Sequence, residues 1–196
     1  MPKVVDHDAY RAELVEGCLR LFAERGFASL TMRDIAAALS VSTGTLYHYF
    51  PSKELLFESA VRRVTQQDLG AAEALTALPP SPRARLEALF AHVVANEQRF
   101  AQELLVTVEY RHLHGAGDAA FESVNEAAEI YIATIDLLLG LDDPALARLI
   151  FMLMNGILLK RLFDGGRTTF ESQFETLARL LPAAPNTSAE ETGAPK

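Results

Sequence analysis

Between residues 31 and 56 the chain reads TMRDIAAALSVSTGTLYHYFPSKELL, and its polar side chains are spaced for contact with a nucleic-acid duplex. Ser42, Thr43, Gly44 and Thr45 are four small residues in succession, three of them carrying hydroxyls. A helix that begins this way lets its backbone approach the major groove closely while offering hydroxyl donors. Tyr47 and His48 follow at the end of the same short helix, where a phenol and an imidazole can reach a phosphate or a base edge. Lys53 and the free amides around Ser52 stand at the start of the next helix, a natural phosphate site. Arg33, with the amides after Thr31, offers a second clamp one helix earlier.

These residues act together only if short helices hold them. Leu14, Cys18, Leu21 and Phe22 form one apolar stripe, predicting a first helix from about Asp8 to Arg25 that Gly26 stops. Thr31 caps the second helix, and Asp34 three residues on completes a capping-box pattern. Ser40-Val41-Ser42 is a three-residue turn, and Ser42 caps a third helix from Thr43 to Tyr49. Pro51 ends that helix and Ser52 caps a fourth. Two short helices joined by a three-residue turn make a helix-turn-helix unit, in which Ile35, Ala36, Leu39, Val41 and Leu46 can pack the pair together. Tyr49 and Phe50 read as core.

The stretch from Thr31 to Leu56 closely resembles the DNA-binding signature of TetR-type transcriptional regulators, and the similarity extends upstream through LFAERGFASL, Leu21 to Leu30. About a fifth of the chain is covered. The resemblance implies that Thr31, Arg33, Thr43, Thr45, Tyr47, His48 and Lys53 lie where the family touches operator DNA. Ser40 departs from it, because glycine is common there; a non-glycine residue costs up to about 1 kcal/mol if the turn requires positive φ.

Helical periodicity continues to the end of the chain. A fourth helix runs from Lys53 to about Leu75, TALPPSP breaks the chain, and Ser81-Pro82 restarts it. Further stripes follow through Leu86–Val93, Phe100–Val108 and Phe121–Leu139, with His114-Gly-Ala-Gly as a loop and Asp118 as a cap. Asp143-Pro144 opens a helix to Phe163, and a last one from Thr169 carries Phe170, Phe174, Leu177 and Leu181. The expectation is an all-α protein of about nine helices, with a helix-turn-helix domain at 6–52, an effector-binding and dimerisation domain at 53–182, and a disordered tail at 183–196.

The helix from Pro144 to Phe163 is apolar on nearly every side between Arg148 and Lys160, so it needs cover from its own bundle on one side and a second subunit on the other. The resemblance implies a homodimer through the last two helices and an effector pocket among the middle ones. Polar groups set in apolar segments, His92, Glu103, Tyr110, Tyr131 and Asn155, are candidate pocket contacts, with Met152 and Met154 as adaptable wall. The hydrophobic content suggests a largely apolar small-molecule effector, and repression is the family default.

Composition sets the limits. Of the 196 residues 49% are hydrophobic, enough for a substantial core, and the formal net charge is −8. Residues 1–63 hold eight basic and eight acidic side chains, whereas residues 64–196 hold ten and eighteen, so charge alone argues only weakly for DNA. A helical protein-interaction module without DNA binding is the alternative consistent with the acidic balance. No nucleophile elbow, phosphate-binding glycine loop or paired metal motif points to an enzyme. His112 and His114 are poorly spaced for one metal on a helix, and the one cysteine, Cys18, lies on the buried stripe; no cofactor or metal is expected. The apolar run Leu149–Leu159 is eleven residues, short of the roughly 20 that span a bilayer, and no secretory leader is visible, so a cytoplasmic location is expected.

Overall fold

The computed structural model describes residues 6–76, 81–114 and 119–179. Their secondary structure is wholly helical, in nine helices: α1 (His7–Arg25), α2 (Met32–Ala38), α3 (Thr43–Tyr49), α4 (Lys53–Thr76), α5 (Pro82–Ala95), α6 (Glu97–His114), α7 (Ala119–Leu139), α8 (Pro144–Asp164) and α9 (Phe170–Ala178). The expected cap at Asp118, the last stripe residue Leu181 and the tail 183–196 lie outside the described residues.

Local chemistry sets the ends of these helices. Asp6 caps α1 by accepting the amide protons of Asp8 and Ala9 at 3.1 Å, so the helix begins one residue before the sequence expectation. Gly26 ends it at φ 77°, a conformation costly for a residue with a Cβ. The end of α2 is closed by two bonds, Ser40 N–H to the Ala37 carbonyl at 3.1 Å and Val41 N–H to the Ala36 carbonyl at 2.9 Å. This nested pair needs a left-handed residue between helix and turn, and Ser40 takes it at φ 57°. Gly17 lets α1 meet the helix pair closely: a Cβ there would stand 2.3 Å from Leu39 Cδ2.

Two apolar cores result. The first joins α1 to α4 around Phe22, Phe27, Leu46 and Phe50 and draws in Val106 and Tyr110 from α6. Tyr10 and the half-buried Tyr49 pack at its edge. The second joins α5, α7, α8 and α9 around Phe90, Leu139, Ile150, Phe170 and Leu177. The expected boundary between residues 52 and 53 falls at the start of α4, yet its first turns send Leu56, Phe57 and Ala60 into the N-terminal core. Among the described residues no helix is long and apolar enough to cross a membrane.

Candidate functional site: a nucleic-acid interface and an apolar cavity

The α2–turn–α3 unit buries one face and presents the other to solvent. Leu46 of α3 is fully buried with Ile35 and Ala36 of α2, which fixes the two helices against α1. At the head of α2, Thr31 Oγ1 accepts the Asp34 amide proton at 3.2 Å, while the Asp34 carboxylate accepts from the Thr31 amide at 2.9 Å and hydroxyl at 2.5 Å. These bonds to Thr31 hold the Asp34 carboxyl below its ordinary pKa. The Thr31 hydroxyl therefore faces inward on its own cap, and the outward groups at this corner are the first-turn amides and the exposed Arg33.

At the head of α3, Ser42 Oγ accepts the Thr45 amide proton at 2.9 Å and lies 2.7 Å from the Thr45 hydroxyl. Thr43 is half-buried, and Gly44 and His48 are exposed. Tyr47 keeps 48% of its surface open, a large fraction for an aromatic with an apolar core close by. A Cβ added at Gly44 would meet nothing nearer than Ser42 Oγ at 3.7 Å, and its φ is not in the left-handed region. No internal contact or backbone strain calls for glycine here, although glycine weakens a helix by about 1 kcal/mol relative to alanine. Its smallness serves whatever approaches from outside.

Lys53 occupies a different setting from the one its position in sequence suggests. Its ammonium donates to the Phe27 carbonyl at 2.9 Å and the Leu30 carbonyl at 2.8 Å, and stands 3.9 Å from the centre of the Phe27 ring. Burial lowers its pKa. Two of its three donors thus tie the head of α4 to the α1–α2 connection. The lysine acts on this face chiefly by fixing where α4 begins.

Between the two cores lies a cavity of about 540 Å³, walled by α1, α4, α5, α6, α7 and α8. Of the candidate contacts, His92, Glu103, Tyr131, Met152 and Asn155 line it, as does Met154. Tyr110 does not. It is fully buried in the N-terminal core, its ring stacked 4.2 Å from Phe57 and 4.1 Å from His114. Its apolar neighbours on α6 suggested a pocket-facing residue, but Tyr110 lies one turn past Val106, beyond the cavity wall.

The cavity wall is mainly apolar, and its charged groups belong to one cluster. Arg99 donates to Asp68 Oδ1 at 2.7 Å and to Glu103 Oε1 at 2.9 Å, and the Tyr131 hydroxyl donates to Asp68 Oδ2 at 2.8 Å. Burial pushes the Glu103 carboxyl up to about 7 against the opposing pull of Arg99, and burial with the nearby Asp68 charge raises the Tyr131 phenol. Sequence reasoning missed Asp68 and Arg99. The i,i+4 pair Arg99–Glu103 was a visible signal; Asp68, 31 and 63 residues from its partners, left none. Elsewhere, burial raises the Cys18 thiol to about 12, which leaves it a packing residue. Among the described residues no three His, Cys, Asp or Glu side chains form a metal-sized group.

Two helices run from the cavity to the α2–turn–α3 unit. α4 carries Asp68 and Leu69 on the wall and Lys53 at its head. α6 carries Glu103 and Thr107 on the wall, and farther along Glu109, whose carboxylate accepts the Phe27 amide proton at 2.7 Å. His114 ends α6 with Nε2 3.5 Å from the Glu54 carboxylate at the head of α4. On α8, Leu149, Met152, Leu159 and Phe163 are exposed along one side, and a Cβ at Gly156 would meet open space.

Residues 14–60 match the family described as bacterial regulatory proteins, tetR family. The chain is 33% identical over 140 residues to the HTH-type transcriptional repressor KstR2 of Rhodococcus jostii strain RHA1, covering 58% of this chain and 68% of that protein. The fold resembles the reduced form of E. coli NemR, with a TM-score of 0.75 at 17% identity over 91% of this chain and 100% of the other. It also resembles the regulator FadR of Bacillus subtilis in complex with stearoyl-CoA, with a TM-score of 0.69 at 17% identity over 86% and 96%.

Proposed function

Because the chain belongs to the TetR family of bacterial transcriptional regulators, we propose that it is a repressor that leaves a palindromic operator when a small, largely apolar effector fills its cavity. Gly44 carries the DNA-binding half of this reading: a glycine in a short helix, with no internal contact that needs it, matches a backbone that must come close to a groove. Ser42, Thr43, Thr45, Tyr47 and His48 surround it as contacts, Arg33 and the first-turn amides that Thr31 caps clamp a neighbouring phosphate, and Lys53 holds α4 in register with them. The chain acts on DNA without catalysing a reaction.

The cavity supports the effector half. Its volume falls in the range of small-molecule sites, its wall is mainly apolar, and FadR, a protein of similar fold, is known in complex with stearoyl-CoA. Filling the cavity would displace α4 and α6, and both reach the DNA-facing unit through Lys53, Glu109 and His114. Coupling of this kind amounts to about 1–3 kcal/mol, and nearly complete switching needs about 5.5. Dimerisation follows from α8, whose exposed side of Leu149, Met152, Leu159 and Phe163 suits a second copy, with Gly156 allowing close approach. Two-fold symmetry would set two α3 helices about one DNA turn apart.

Release is tested by fluorescence anisotropy on an operator recovered by selection, using ligands first found by their effect on Tm. At least tenfold weaker operator binding is expected with ligand bound. A ligand that raises Tm through the cavity and leaves operator affinity unchanged contradicts the mechanism. A helical interaction module without DNA binding is the second reading, consistent with the net charge of −8; absence of salt-dependent DNA binding would favour it.

A further inference from the structure

We infer that the effector is an apolar monocation, a hydrophobic body bearing one amine or ammonium head, and that Glu103 is the counter-charge it meets on the cavity wall. This rests on the reading of the cavity as the effector site. Among the described residues the wall includes two carboxylates, Asp68 and Glu103, with His92 and Tyr131, and no lysine or arginine. The nearest cation, Arg99, stands outside the lining and is shared, with one nitrogen on each carboxylate. With both acids ionised, the cluster carries one uncompensated negative charge facing apolar space.

The partners decide which acid carries it. Both oxygens of Asp68 are engaged, Oδ1 by Arg99 and Oδ2 by the Tyr131 hydroxyl. Glu103 has Oε1 on Arg99, and Oε2 is left for a ligand. A carboxylate that only shares a guanidinium in an apolar cavity is costly, so Glu103 takes either a proton or a further cation at Oε2, in keeping with a carboxyl raised to about 7 by burial. A cationic head takes the proton's place. An anionic head would meet two carboxylates with their shared guanidinium already engaged, and is the class the wall disfavours.

The titratable and charged groups around Glu103 are Asp68 on α4, His92 on α5, Arg99 on α6 and Tyr131 on α7; α8 brings the neutral Asn155. With this many charged groups on the wall, pH dependence in the wild type alone does not assign the effect to one residue. Loss of that dependence on Glu103→Gln does.

The test uses three matched series with phenyl groups on chains of three to six methylenes, ending in amine, alcohol or carboxylate, titrated into the full chain by calorimetry. Amines are expected to bind at least about tenfold more tightly than alcohols, as a charge-assisted hydrogen bond allows, with the carboxylates weakest. Raising pH from 5.5 to 8.5 should strengthen amine binding about tenfold or more and leave the alcohols within about threefold. Glu103→Gln should bring amine and alcohol together and flatten the pH profile. Equal or tighter binding of alcohol or carboxylate by the wild type overturns the inference while leaving an apolar effector in place. Binding by none of the three series overturns both readings. Retention of the amine preference in a folded Glu103→Gln protein removes Glu103 as the counter-charge. Should that variant lose its helical circular dichroism, a wild-type profile that is flat for amines overturns the inference by itself.

Discussion

Gly44 and Ser40 stand four residues apart and break the usual rules in opposite directions. Gly44 sits in a helix where alanine would fit, with Ser42 Oγ 3.7 Å from the added carbon. Gly44→Ala should raise the unfolding free energy by up to about 1 kcal/mol and weaken operator binding at least tenfold, read by chemical denaturation and anisotropy. Ser40 has a left-handed backbone, φ 57°, that glycine adopts without penalty. Ser40→Gly should stabilise the protein by about 1 kcal/mol and leave operator affinity within about twofold. Similar stabilisation of both variants with loss of binding in Gly44→Ala alone would show that the surface of α3, and not the stability of the unit, governs binding. Lys53 shows the limit of this reading. Its place after Ser52 suggests a phosphate contact, and nothing local reveals that the Phe27 and Leu30 carbonyls, more than twenty residues away, already hold its ammonium.

The helices themselves were largely legible in the sequence because short-range signals set their ends: Gly26 at φ 77°, the Thr31–Asp34 box, the Ser42 cap and Pro144 in the first turn of α8. What was not legible is the business of long-range contacts. Glu109 binds the Phe27 amide across 82 residues of sequence, and no periodicity encodes that. The cavity cluster is similar, since only its Arg99–Glu103 spacing on α6 is local. Glu103 also gives this level its pH dependence. Its carboxyl holds a proton to about pH 7 when folded, against 4.5 ordinarily, so its contribution to stability is fully present below about pH 4.5 and lost as pH rises through 7. Glu103→Gln should match the wild type near pH 4.5 and exceed it by about 2 kcal/mol near pH 8, after discounting for partial exposure. Urea unfolding at both pH values measures this, and a constant difference between the two proteins would contradict it.

The molecule as a whole places an apolar cavity between two cores and leaves an apolar strip on α8 uncovered. Phe163 is 80% exposed, an arrangement that a second subunit would relieve. Leu149→Glu combined with Phe163→Glu should convert a dimer to a monomer in sedimentation velocity at micromolar concentration and weaken operator binding at least tenfold, through loss of the second recognition helix. A double variant that stays dimeric would move the interface off α8. The sequence reading expects the Pro144–Phe163 helix to be covered by its own bundle on one side and by a second subunit on the other; in the single chain one face of α8 is open. The central claim, that the α2–turn–α3 unit reads a duplex, is tested most directly by selecting random duplex DNA with the purified chain at low salt, beside Tyr47→Ala. The account predicts enrichment of a pseudo-palindromic site whose affinity falls steeply with salt and drops at least tenfold with Tyr47→Ala. No enrichment at low salt, or a site bound equally well by the variant, would contradict it.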